Sequence, residues 1–210
     1  MLAKRHIPNL LTFARAAAVP VSLVLIYALP HPAMALFAIF IAAALTDFLD
    51  GYLARKWNAI SPLGAMLDPV ADKLLVALLL LYVLTILKGA LFLPVVVILL
   101  RELYISGLRE FLASRSASLP VSKGGKLKTT LQMLALALLL GRLAFNPPDA
   151  LLFPCNLVHD MQGVMVTSCI NQPWLLRLAE QGGVPLLDAA ALVTLLTALH
   201  YTYAARKFFR

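Results

Sequence analysis

The chain has 210 residues, 61% of them hydrophobic, and a mean hydropathy of +0.87, which excludes a water-soluble globular domain and points to a bundle of membrane spans. The formal net charge is +8, but the cations flank apolar runs, so they read as topology signals and as attraction to anionic lipid headgroups; no nucleic-acid partner is expected.

Six stretches reach the roughly 20 apolar residues that a span needs: residues 8–29, 33–54, 63–87, 91–112, 127–145 and 184–204. They predict an all-α integral membrane protein of six transmembrane helices, with residues 1–210 forming a single membrane-embedded domain. The first span opens on Pro8 and Asn9, a proline suiting the first helical turn, where its missing N–H costs nothing; Pro20 is expected to kink it. Lys4 and Arg5 precede an apolar run too long for a signal core, so no cleavable leader is expected. After the turn at Leu29-Pro30-His31-Pro32, the second span runs straight into Asp47, Asp50, Gly51 and Arg55. Ser61-Pro62 reads as an N-cap followed by a first-turn proline, opening a third span that carries Asp68 and Asp72, with Pro69 as a possible kink site.

Cations gather again where the fourth and fifth spans meet the same side: Arg101, Arg109, Arg115, Lys123, Lys126 and Lys128. With a cytoplasmic N-terminus, these join Lys4, Arg5, Arg55, Lys56, Arg206, Lys207 and Arg210 on or near the cytoplasmic side, while only Lys88, Arg142 and Arg177 fall opposite. That asymmetry orients the bundle in a bacterial-type inner membrane. Residues 146–183 then form an extracytoplasmic loop insertion holding both cysteines, Cys155 and Cys169. On an oxidising face they can pair as a disulfide or remain two thiols, and the sequence favours neither.

The acids carry the chemistry. Of ten acidic residues, four stand between Asp47 and Asp72, beside apolar runs that strip hydration from them, so they need positive charge to stay ionised. Asp47 and Asp50 are three apart and Asp68 and Asp72 four apart, which puts each pair on one helix face. Antiparallel helices joined by a short turn would bring the pairs together, with Gly51, Ala54 and Gly64 allowing close approach. Oxygen-liganded divalent cations are the natural partner for such a cluster, and they point to phosphate chemistry. Two other readings compete. A cation or proton transporter also places acids in a membrane, but its relay sits near mid-membrane, often with internal repeats, and no repeat is visible here. A purely structural helix pair leaves unexplained why the acids cluster. For the Arg101–Lys128 region, the charges alone read either as a phosphate cradle or as an ordinary positive-inside loop, the second being favoured.

The pattern Asp47-x2-Asp50-Gly51-x2-Ala54-Arg55-x8-Gly64-x3-Asp68-x3-Asp72 resembles the signature of the CDP-alcohol phosphatidyltransferases, matching at all eight specified positions. Pro8-Asn9-x2-Thr12-x2-Arg15, Arg101-Glu102, Ser106, Leu108-Arg109-Glu110 and Gly125-Lys126-x-Lys128-Thr129-x2-Gln132 resemble the phosphatidylglycerophosphate-forming branch of that family. The resemblance covers roughly residues 7 to 140. It implies a six-helix, usually homodimeric enzyme, dependent on Mg²⁺ or Mn²⁺, in which two ions are held by Asp47, Asp50, Asp68 and Asp72. Gly51, Arg55 and Ser61, helped by Asn9 and Thr12, would contact the cytidine diphosphate of CDP-diacylglycerol, and Asp72 would serve as base. The branch further implies glycerol 3-phosphate as acceptor, its phosphate held by Arg101, Arg109, Lys126 and Lys128, giving phosphatidylglycerophosphate and CMP. Phosphatidylglycerol (cardiolipin formation), inositol phosphate or serine as acceptor is the alternative within the family.

Overall fold

The computed structural model describes the backbone of residues 3–57, 62–87, 91–115, 123–145, 155–159, 165–169 and 174–206, and the side chains of residues 12–47, 66–67, 69–87, 91–115, 124–145 and 181–206. Among the described residues there are six long helices: α1 (Ala3–Ala28), α2 (Ala33–Trp57), α3 (Pro62–Leu87), α4 (Phe92–Ser114), α5 (Lys123–Phe145) and α6 (Trp174–Ala205). Each of the six expected spans lies within one of them or within a residue or two of its ends. Both interior prolines of the early spans, Pro20 and Pro69, sit inside helices that continue past them.

The expected loop over 146–183 is only partly that. It contains an antiparallel hairpin, β1 (Cys155–His159) with β2 (Met165–Cys169), in which Cys155 and Cys169 are Cα partners at the end of the register. Helix α6 starts at Trp174 rather than at 184. The polar stretch Glu180-Gln181-Gly182-Gly183 hides that extra length from a search for apolar runs.

Among the described residues, three helical stretches are both long and apolar enough to cross a membrane: Pro69–Leu87, Gly124–Phe145 and Gln181–Ala205. Shorter apolar stretches occupy α1 (Thr12–Ala28) and α2 (Ala33–Asp47). The polarity of the bundle runs opposite to that of a soluble protein. Large apolar side chains such as Tyr27, Leu93, Leu103 and Leu196 face outward, while Thr12, Arg15, Ser22, Arg101, Lys128, Gln132, Thr194 and Thr197 are buried. Hydrocarbon solvates the first set, and the second must find partners inside.

The main core is leucine-rich, with Leu36, Leu79, Ile98, Leu136, Leu139 and Leu187 all fully buried. Helix α5 packs along α6, α4 on α6, α2 on α5, and α1 against both α2 and α3. The α5–α6 seam is close: a Cβ at Gly183 would stand 2.8 Å from Leu139 Cδ2, so any larger residue there would force the Leu139 side chain to move. A second cluster, Ile105, Leu108, Leu112, Tyr201 and Ala205, fastens α4 to the end of α6. These contacts set the ends of α2, α3, α4 and α5 around one space.

Candidate active site

The acidic side of that space is organised by α1. Arg15 donates from Nη1 to Asp47 Oδ1 (3.1 Å) and to Asp72 Oδ1 (2.9 Å), thereby joining α2 and α3 through a third helix. The Arg15 side chain is 1% exposed, whereas those of Asp47 and Asp72 are 56% and 41% exposed, so one oxygen of each carboxylate turns inward to the guanidinium while much of each group stays open. Thr12, one turn before Arg15 on α1, is also buried. Asp50, Gly51 and Arg55 lie on α2, Asp68 on α3 and Asn9 on α1, with side chains outside the described residues; Ser61 lies outside them altogether.

Two carboxylates from different helices therefore meet on a single cationic nitrogen. Hard oxygen donors in that arrangement suit a Mg²⁺- or Mn²⁺-type ion, which takes one or two carboxylates plus substrate phosphates rather than a full protein cage. Among the described side chains, which do not include Asp50 or Asp68, no three histidine, cysteine or acidic groups converge.

The basic side is a network across α3, α4, α5 and α6. Glu102 Oε1 accepts from Arg101 Nη1 (3.0 Å) and from Lys128 Nζ. Arg101 Nη2 donates to Thr197 Oγ1 (3.2 Å), and its guanidinium carbon lies 5.9 Å from the centre of the Tyr201 ring, both on α6. Thr197 in turn donates to the Thr194 carbonyl (2.9 Å). One turn along α4, Ser106 Oγ donates to the Glu102 carbonyl (2.7 Å) and accepts from Lys73 Nζ of α3 (2.6 Å). Arg101 and Lys128 are buried, whereas Arg109 and Lys126 are exposed.

Both sides line one cavity of about 870 Å³. Asp47 and Asp72 stand at its acidic side, and Lys73, Arg101, Arg109, Lys126 and Lys128 at its basic side. The rest of its lining, including Phe40, Leu75, Ile98 and Met133, is largely apolar. The structure thus brings together two of the four predicted acids and all four predicted phosphate-binding cations, though those four are not equivalent: Glu102 already engages Arg101 and Lys128. Sequence reasoning gave no site role to Arg15, Lys73, Glu102, Thr197 or Tyr201. A usable signal existed for Arg15, since an ionisable residue inside a span is a site candidate by default, and for Lys73, which follows Asp72 directly.

Two carboxylates, an array of positive charge and an apolar wall around one cavity fit a membrane-embedded enzyme acting on anionic substrates. The chain belongs to the CDP-alcohol phosphatidyltransferase family, whose sequence model matches residues 5–169. It is 49% identical over 138 residues to a CDP-diacylglycerol–glycerol-3-phosphate 3-phosphatidyltransferase of Cereibacter sphaeroides, covering 63% of this chain and 62% of that protein. A protein of the same name from Rickettsia bellii is 48% identical over 136 residues, 64% of this chain and 74% of its own length. One from Salmonella choleraesuis is 38% identical over 206 residues, 96% of this chain and 95% of its own length. The likeness therefore extends well past residue 140, through the hairpin and α6.

Proposed function

We propose that this protein transfers the phosphatidyl group of CDP-diacylglycerol to glycerol 3-phosphate, giving phosphatidylglycerophosphate and CMP. The observation that carries the reading is the single cavity with Asp47 and Asp72 on one side and five cationic side chains on the other. An acceptor phosphomonoester bears nearly two negative charges and must approach an already anionic pyrophosphate. Only fixed cations beside the reaction centre make that approach favourable. The activity carried in the names of the Cereibacter, Rickettsia and Salmonella relatives supports the same assignment.

In this reading Asp47, Asp50, Asp68 and Asp72 hold Mg²⁺ or Mn²⁺, two ions in all. When bound, such ions neutralise the pyrophosphate and stabilise the departing CMP oxyanion. Asn9, Thr12, Gly51, Arg55 and Ser61 grip the cytidine diphosphate end. Arg109 and Lys126 meet the acceptor phosphate from the exposed rim, and Arg101 and Lys128 from the buried wall. The acceptor hydroxyl oxygen bonds to the phosphatidyl phosphorus as the bond from that phosphorus to the CMP oxygen breaks, and Asp72 takes the hydroxyl proton. No covalent enzyme intermediate is needed. The apolar wall and outward apolar faces suit a lipid substrate entering from the bilayer. The reading includes six spans in a bacterial-type inner membrane, a cytoplasmic site and, on the family resemblance, a homodimer.

The test is product analysis. Purified protein in detergent–lipid micelles, given labelled CDP-diacylglycerol and Mg²⁺, should form phosphatidylglycerophosphate with glycerol 3-phosphate and little product with free glycerol, serine, inositol phosphate or phosphatidylglycerol. Equal turnover of any of those would replace the acceptor while keeping the transferase.

A further inference from the structure

We propose that Lys73, held in place by Ser106, is a further ligand of the acceptor phosphate and a determinant of acceptor choice. The inference rests on the reading just given, that the acceptor is a phosphomonoester.

Charge arithmetic on the buried wall favours a further cation beside it. Arg101 and Lys128 both donate to one oxygen of Glu102, so that buried wall carries two positive charges and one negative, a net +1. A phosphomonoester at neutral pH carries close to two negative charges. The wall alone leaves it under-compensated in surroundings where screening by water is weak. Arg109 and Lys126 are exposed on long side chains and contribute at the rim, where solvent weakens each charge.

Lys73 is itself exposed, but its head is held by a neutral hydroxyl rather than by a carboxylate as at Arg101 and Lys128. It lies on α3, lines the cavity and immediately follows Asp72, the acid read as the base. Its ammonium is fixed from across the cavity by Ser106 Oγ at 2.6 Å. Ser106 spends its own proton on the Glu102 carbonyl, so its oxygen is committed to accepting from Lys73. An ammonium has three donors. One goes to Ser106, leaving two for a ligand within the space shared by Asp72 and the Arg101–Lys128 wall. A phosphate held there is gripped between α3 and α4, and a hydroxyl elsewhere on the same small molecule is directed to Asp72. Acceptors without a phosphate gain nothing from this contact. Lys73 thus rewards the phosphomonoester in particular and supplies a fixed orientation for attack.

The experiment compares wild type, Lys73→Met, Lys73→Arg and Ser106→Ala by initial rates, varying glycerol 3-phosphate and CDP-diacylglycerol in turn. Loss of one charge-assisted hydrogen bond predicts a KM for glycerol 3-phosphate raised about 10- to 100-fold in Lys73→Met, with the KM for CDP-diacylglycerol within about twofold. Lys73→Arg should recover most of the loss, and Ser106→Ala should shift the same KM in the same direction by less. An unchanged KM for glycerol 3-phosphate in Lys73→Met overturns the proposal. So does an equal rise in both KM values, which marks a structural role. Should Lys73→Met fail to fold, Ser106→Ala decides on the same criterion. Wild type that uses free glycerol as well as glycerol 3-phosphate would sink the acceptor reading itself; selective wild type with an indifferent Lys73→Met sinks only the role of Lys73.

Discussion

At the scale of single residues, Arg15 explains how two carboxylates can share a poorly hydrated site. One guanidinium nitrogen lies 3.1 Å from Asp47 and 2.9 Å from Asp72, so a single buried cation compensates both carboxylates at once. Substituting Asp47→Asn or Asp72→Asn preserves shape and removes the charge that both a cation and Arg15 require. Each should lower turnover by about 10²–10⁴-fold, the range lost with a positioned base, and EDTA should stop the wild-type reaction until Mg²⁺ or Mn²⁺ is returned. CMP release that persists in excess chelator would sink the metal reading. That Asp47 and Asp72 would meet was legible in the sequence, because the acids are regularly spaced and scarce elsewhere. The role of Arg15 was not, because its two partners lie 32 and 57 residues away on other helices. Spacing reveals same-helix neighbours; it does not reveal which helix is wedged between two others.

At the scale of elements, the four cations predicted to form a phosphate site divide by helix position. Arg101 and Lys128 are drawn into the α4–α5–α6 seam, where Glu102, Thr197 and Tyr201 partner them, while Arg109 and Lys126 stay on exposed faces. A sequence records their charge but not this division, which depends on Thr197 and Tyr201 arriving from α6. The helices themselves were legible from apolar length. The early start of α6 was not, because its first turns are polar, nor was the hairpin, whose strands are five residues each. Glu102 should be the keystone of the seam. Glu102→Gln leaves two adjacent buried cations uncompensated, and should destabilise the bundle by about 2 kcal/mol, less than the ~3–5 kcal/mol for a fully buried pair because the carboxylate is partly exposed. Adding Lys128→Met removes one of those cations, so the double variant should recover part of the loss, with a coupling of about 1–3 kcal/mol. Unfolding in detergent micelles across the cycle measures this; additive single effects would mean that the pair contributes no coupling.

At the scale of the whole molecule, the cavity and the charge asymmetry point the same way. Arg109, Arg115 and Lys126 belong to the end of the bundle that opens on Asp47 and Asp72, while Arg142 sits near the opposite end of α5. Cationic loops are retained on the cytoplasmic side during insertion, and a water-soluble acceptor phosphate and released CMP both belong to that compartment. On that rule, our proposal is that the cavity faces inward and the β1–β2 hairpin outward. The two cysteines make this measurable, because both lie on that hairpin and face each other in its register as Cα partners. Intact cells, first reduced and then treated with a membrane-impermeant thiol reagent, should show labelling at Cys155 and Cys169. A cysteine introduced at Ser114, at the end of α4 beside the basic side of the cavity, in a chain with Cys155 and Cys169 replaced by serine, should react only once the cells are opened. The reverse pattern would turn the bundle over in the membrane and put the site on the side from which neither the acceptor phosphate nor the cytidine nucleotide is supplied.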